Sequence, residues 1–224
     1  MRLVSFQSME GLKVLINKGY LEADDQYVNT KKYGYVYDWI VEKMSKAVPN
    51  NYSVKYPLWC WVKFKNGICP PKHKGNPVKG FDVKITFEKN KEDVFITDYR
   101  RYSFLLNNIY IPDSKYDKEQ YEKEIRKHGI TTEELKAVVR SDKYTTHRTD
   151  KVFRDVCDKI SGSFDRCISE DSDVLQGCVW RINLYEVLKI EILNDSNYQF
   201  GSFNYLRKNG KTFDWIKDFY DMLN

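Results

Sequence analysis

The residue best placed to do chemistry is Gln176, an uncharged amide near the start of the apolar run Asp173-Val174-Leu175-Gln176-Gly177-Cys178-Val179-Trp180-Arg181-Ile182. An amide can hydrogen-bond a hydroxyl, but it cannot act as a base or oppose a developing positive charge as a carboxylate does. The carboxylates nearest in sequence are Glu170 and Asp173, and on a strand Asp173 would point to the face opposite Gln176. Trp59 and Trp61, two residues apart, would give one strand face a flat apolar surface. Such a surface can stack a base or a nicotinamide ring, or pack a core.

Other chemistries find less support. His73, His128 and His147 are far apart and lack metal-ligand spacing, so a metal site is not expected. No glycine-rich loop ends in lysine and serine, which speaks against nucleotide hydrolysis. The five cysteines, Cys60, Cys69, Cys157, Cys167 and Cys178, are odd in number, have no CxxC spacing and follow no signal peptide. They read as reduced thiols of a cytosolic protein, with Cys178 a buried strand residue. Lys and Arg exceed Asp and Glu by 37 to 32, scattered among them. Lys72, His73, Lys74 and Lys79, with Lys31-Lys32, Arg100-Arg101 and Arg207-Lys208, could meet phosphate, and a solvated surface accounts for them as well. No run approaches the roughly 18 apolar residues of a spanning helix, so no membrane is expected.

The elements that must hold these residues can be read from spacing. The 224 residues, 42% hydrophobic with 17 Tyr, 12 Phe and 5 Trp, suffice for one domain with a ring-rich core. Leu3 to Gln7 reads as a first strand, and Ser8 can cap a helix with Met9, Leu12, Leu15 and Ile16 on one face, stopped by Gly19. A helix is expected over 35–47 from Val36, Ile40 and Met44, closed by Pro49. Tyr56 to Phe64 should be a central strand with Trp59, Trp61 and Lys63 on one face and Cys60, Val62 and Phe64 on the other. Residues 66–80, with Pro70, Pro71, Gly75, Pro77 and Gly80, form a loop, and Phe81 to Phe87 alternates as a half-exposed strand. Val94 to Thr97 is a further strand, after which Asp98 caps a helix through Tyr102, Leu105, Leu106 and Ile109. Residues 113–150 read as an inserted helical hairpin in which Thr131 and Glu134 have capping-box spacing. Val152, Phe153, Val156 and Ile160 mark another helix, and strands follow over Val174 to Ile182 and Leu188 to Leu193. Residues 194–224 read as an extension packed on the domain, with a strand over Tyr198 to Leu206 and a helix carrying Phe213, Ile216 and Leu223. The expected fold is α+β, with a mostly antiparallel central sheet and flanking helices.

Leu3-Val4-Ser5-Phe6-Gln7-Ser8, Tyr37-Asp38-Trp39 with Met44, Tyr56-Pro57-Leu58-Trp59-Cys60-Trp61, Leu106-Asn107-Asn108 and the stretch from Gln176 to Val187 together resemble a bacterial family, domain of unknown function 3841. The likeness covers most of residues 1–112 and 160–193, whereas 113–150 and the tail depart from it. More distantly, the order of elements resembles the ADP-ribosyltransferase fold, including its DNA-modifying toxins. That resemblance implies NAD as cofactor. It gives a first-strand polar residue, here Gln7, to the nicotinamide ribose, and an aromatic ring, Tyr27 or Tyr37, to stack on nicotinamide beside Trp59 and Trp61. Gln176 falls where the family's late glutamate stabilises the transition state, which makes Gln7 and Gln176 the candidate catalytic pair.

Three functions follow as expectations. The first is an ADP-ribosyltransferase-like protein that binds NAD and acts on a macromolecular target, as a toxin or phage-conflict factor. The alternative is a non-catalytic binding module of the same fold that holds a protein or nucleic acid partner, which the glutamine in place of glutamate favours. A third is an antitoxin or immunity protein that works through its surface.

Overall fold

The computed structural model describes residues 1–69, 83–139 and 147–193. The expected basic loop with Lys72, His73, Lys74 and Lys79, the start of the strand at Phe81, and the whole tail from 194 lie outside them, as do the side chains of Lys31 and Lys32.

Strand β1 (Arg2–Gln7) leads into helix α1 (Met9–Lys18). The Ser8 hydroxyl accepts from the Gly11 amide to start that helix, and Gly19 at φ 76° ends it, a backbone conformation glycine adopts without steric cost. After β2 (Tyr20–Glu22), α2 runs over Thr30–Ala47. It begins five residues before the expected start because its first turns are set off by a non-helical Tyr33. The amphipathic face of Val36, Ile40 and Met44 is buried as the spacing requires.

Strands β3 (Leu58–Phe64), β4 (Val83–Glu88) and β5 (Phe95–Asp98) follow, then α3 (Tyr99–Leu105), capped by the Asp98 carboxylate. Helix α3 is shorter than expected, since Asn108 takes a positive φ of 51° and turns the chain before Ile109. Residues 113–150 hold α4 (Lys115–Lys127) and α5 (Thr132–Ala137), the latter with the Thr131–Glu134 capping box in place. Helix α6 (Lys151–Gly162) returns the chain to β6 (Val174–Val179), β7 (Arg181–Asn183) and β8 (Val187–Ile192).

Six strands form one sheet in the order β5-β6-β3-β1-β4-β8, and every neighbouring pair is antiparallel. The fold is α+β with a mostly antiparallel sheet. One face, with Leu3, Ile85 and Phe87, packs against Leu12 and Leu15 of α1. The other carries Trp59, Phe95 and Cys178 and is covered by α2 and α3, with α6 and the Tyr110–Tyr121 stack beyond.

Two expected strands are corrected. Val174 to Ile182 is not one strand. It breaks at Trp180, whose indole donates to the Val48 carbonyl at 2.9 Å, and Arg181–Asn183 pair with β2 in a separate two-stranded sheet. In β3 the register against β6 shifts between Trp61 and Lys63, an extra residue that reverses the alternation beyond it. Phe64 therefore joins Trp59 and Trp61, edge-on to Trp61 at 5.8 Å, and Lys63 moves to the Cys60 side.

Candidate functional site

Every residue of β6 is buried, and its two faces differ in kind. Leu175, Gly177 and Val179 face the α1 side with Cys60, where Gly177 is required: a Cβ there would stand 2.9 Å from Val94 Cγ1 and 3.0 Å from Val62 Cγ2. Val174, Gln176 and Cys178 face α2 and α3. Across the sheet, Gln176 lies between Trp61 on β3 and Thr97 on β5, and Cys178 lies between Trp59 and Phe95. Helix α3 sets Tyr99 against Trp61 and Tyr102 against Trp59, each at 4.9 Å between ring centroids, the one-turn spacing of the two tyrosines matching the two-residue spacing of the tryptophans.

The strand residues of this face on β3, β5 and β6 around Gln176, namely Trp59, Trp61, Phe95, Thr97 and Cys178, carry no charged side chain. Burial pushes the Tyr37 phenol up, and pushes Tyr102 and the Cys178 thiol well above their ordinary values, so all three keep their protons at neutral pH. The carboxylates nearest in sequence to these residues have partners. Asp173 pairs with Arg100 at 3.0 Å, Glu170 pairs with Lys91 at 2.7 Å, and Asp98 accepts from the backbone amides of Arg100 and Arg101. Two polar atoms are left over. Thr97 Oγ1 and Gln176 Nε2 are buried and have no hydrogen-bond partner among the described residues. Leaving such a group unmatched costs about 1–3 kcal/mol, so this spot is held at an energetic disadvantage.

Of the residues named from sequence, Gln176, Trp59, Trp61 and Tyr37 come together, Tyr37 packing in the same cluster as Trp59 and Cys178. Gln7 does not join them. It pairs with Val83 on the α1 face, and its amide donates to the Ser5 hydroxyl at 2.7 Å, which in turn donates to the Trp59 carbonyl at 2.8 Å. Gln7 and Gln176, expected as a catalytic pair, thus project from opposite faces of the sheet. Tyr27 is also apart, 73% exposed in the 3-10 turn Asp25–Tyr27. Sequence reasoning missed Thr97, Tyr99 and Tyr102. The two tyrosines at one-turn spacing were a visible signal, whereas Thr97 gains its meaning only from its cross-strand partner.

A cavity of about 380 Å³ lies elsewhere, lined by Tyr52, Glu88, Lys89, Asn183, Tyr185 and Glu186 among others. Its size suits a small ligand, but its inner charges already satisfy each other. Lys89 donates to Glu186 at 2.7 Å, and the other Glu186 oxygen accepts from the Asn183 amide at 2.8 Å. The unfilled atoms beside Trp61 make the stronger candidate. Among the described residues no three His, Cys, Asp or Glu side chains are grouped to hold a metal ion, and no helix is long and apolar enough to cross a membrane.

No curated protein and no solved structure matches this chain. A family model does, the one described as Domain of unknown function (DUF3841), over residues 2–188. The match runs through 113–150, the stretch expected to depart, and stops before the tail. It takes in the first strand, the tryptophan strand, α3 and the Gln176 strand, and the chain belongs to the family of domain of unknown function 3841.

Proposed function

We propose that the chain is an ADP-ribosyltransferase-like protein that binds NAD on the Trp61–Gln176 face and acts on a macromolecular target. One observation carries this reading. Gln176, on the late strand, is the cross-strand partner of Trp61, and its amide NH2 is left without an acceptor among the described residues. The indole supplies a flat surface for the nicotinamide ring, and the NH2 supplies a donor for a carbonyl or ribose oxygen. Gln176 is only 7% exposed, so a ligand reaches it when Tyr99, 41% exposed at the start of α3, turns aside from Trp61.

A second reading, a non-catalytic binding module that holds a protein or nucleic acid partner, is favoured by the pairing of Asp173 with Arg100 and of Glu170 with Lys91 and by Gln7 facing the other way. Calorimetry with millimolar NAD, run alongside transfer of labelled NAD to cell-extract macromolecules, separates the two. The first reading expects heat that Gln176→Ala abolishes and Gln7→Ala leaves intact, together with label on a target. Heat without label assigns the binding module, and neither heat nor label ends the NAD reading.

A further inference from the structure

Thr97 and Gln176 are register partners on β5 and β6, so their side chains rise side by side from one face. Cβ atoms of such a pair stand about 4.5–5.5 Å apart, within reach of a direct hydroxyl-to-amide bond. That bond is not made, and both atoms stay unpaired in a place that excludes water from their surfaces. Thr97 is fully buried. The Gln176 NH2 can only donate, while the Thr97 hydroxyl can donate or accept. A single neutral group with a carbonyl oxygen and an N–H side by side satisfies both. An anion does not suit the spot, because the cations of α3 are engaged, Arg100 with Asp173 and Arg101 with Asp98 and the Arg166 carbonyl, and a carboxylate would enter as an uncompensated buried charge.

We propose that Thr97 is the second recognition residue of this site and that the ligand enters by a neutral carboxamide edge on a flat ring, which stacks on Trp61 once Tyr99 has turned aside. The assignment rests on the reading of the Trp61–Gln176 face as the ligand site. It makes a specificity claim: the site takes a ring carboxamide and refuses the matching carboxylate.

The test uses the full chain and Thr97→Val, which keeps the shape and removes the hydroxyl. Melting is followed alone, with nicotinamide and with nicotinic acid, and NAD affinity is measured by calorimetry. Without ligand the variant melts at or above the wild-type temperature, because an unmatched buried hydroxyl has been replaced by a methyl group. Nicotinamide raises the wild-type melting temperature, nicotinic acid does not, and the variant loses the nicotinamide response together with about tenfold or more of its NAD affinity. A variant that melts below wild type, keeps the nicotinamide response, or binds NAD as wild type does overturns the inference, as does wild-type protein that ignores nicotinamide. A wild-type response to nicotinamide with no heat from NAD instead removes the dinucleotide reading and leaves the carboxamide site standing.

Discussion

At the scale of single residues, Ser5 decides how the tryptophan strand is held. β1 meets β3 at Val4 and Trp61, and beside that meeting the buried Ser5 hydroxyl receives the Gln7 amide and donates to the Trp59 carbonyl. Removing it strands both partners. Ser5→Ala is expected to lower the unfolding free energy by about 1–3 kcal/mol in urea titration, while Gln7→Leu costs about 1 kcal/mol and leaves any NAD heat unchanged. Gly177 has a different kind of necessity, since three side-chain atoms lie within 3.3 Å of where its Cβ would be. Gly177→Ala should cost about 1–3 kcal/mol by forcing Val94, Val62 and Cys60 apart, read by the same titration with an unchanged slope. These residues also show where sequence reading stops. Gln176, Trp59 and Trp61 could be named because their types are unusual in apolar runs. Whether Gln7 shares their face depends on strand order and register across β3, which local spacing does not contain.

At the scale of elements, what was legible was local. The Ser8 cap, the Gly19 stop, the α2 face and the Thr131–Glu134 box each involve successive residues spaced by no more than about one turn, and each formed as its chemistry requires. The β3 bulge and the break at Trp180 arise from contacts with distant strands and loops, so alternation alone overran both. The helices of 113–162 lean on carboxylates at their starts. Asp117 accepts from the Asp113 amide and the Tyr110 hydroxyl, Glu134 from the Thr131 amide, and Asp150 from Arg148 and the Phe153 amide, and each is thereby held below the ordinary carboxylate range. Because the folded values are the lower ones, this stabilisation is present above the unfolded carboxylate values of about 4 and is lost as pH falls through the folded values. Amide exchange in α4 to α6 should therefore rise on acidification below about pH 4 before exchange in β3 and β6 does. Asp117→Asn should bring exchange in α4 forward at pH 7 and change little at pH 3. Equal sensitivity of helices and sheet to acid would contradict this.

At the scale of the whole molecule, the cysteines report whether the chain unfolds as one body. Cys60 lies in the cluster under α1, Cys178 in the cluster under α2, and Cys167 among the helices around α6. Burial pushes Cys60 and Cys167 up to about 12 and Cys178 well above its ordinary value, so none of the three offers a thiolate near neutrality. Cys69 and Cys157 are partly exposed, and burial raises them less. Iodoacetamide at mildly alkaline pH should modify Cys69 and Cys157 in the native protein and spare the other three, as mass spectrometry of the digest would read. The three clusters are joined physically: β6 carries Leu175 and Val179 into one and Cys178 into another, and Trp59 packs against both helical clusters from the middle of the sheet. A ring shared in this way cannot lose one set of neighbours without loosening the other. Across a urea series Cys60, Cys167 and Cys178 should therefore become reactive together, at one denaturant midpoint. Reaction of Cys167 at lower urea than the two sheet cysteines would show instead that the helices of 113–167 part from the sheet as a separate unit.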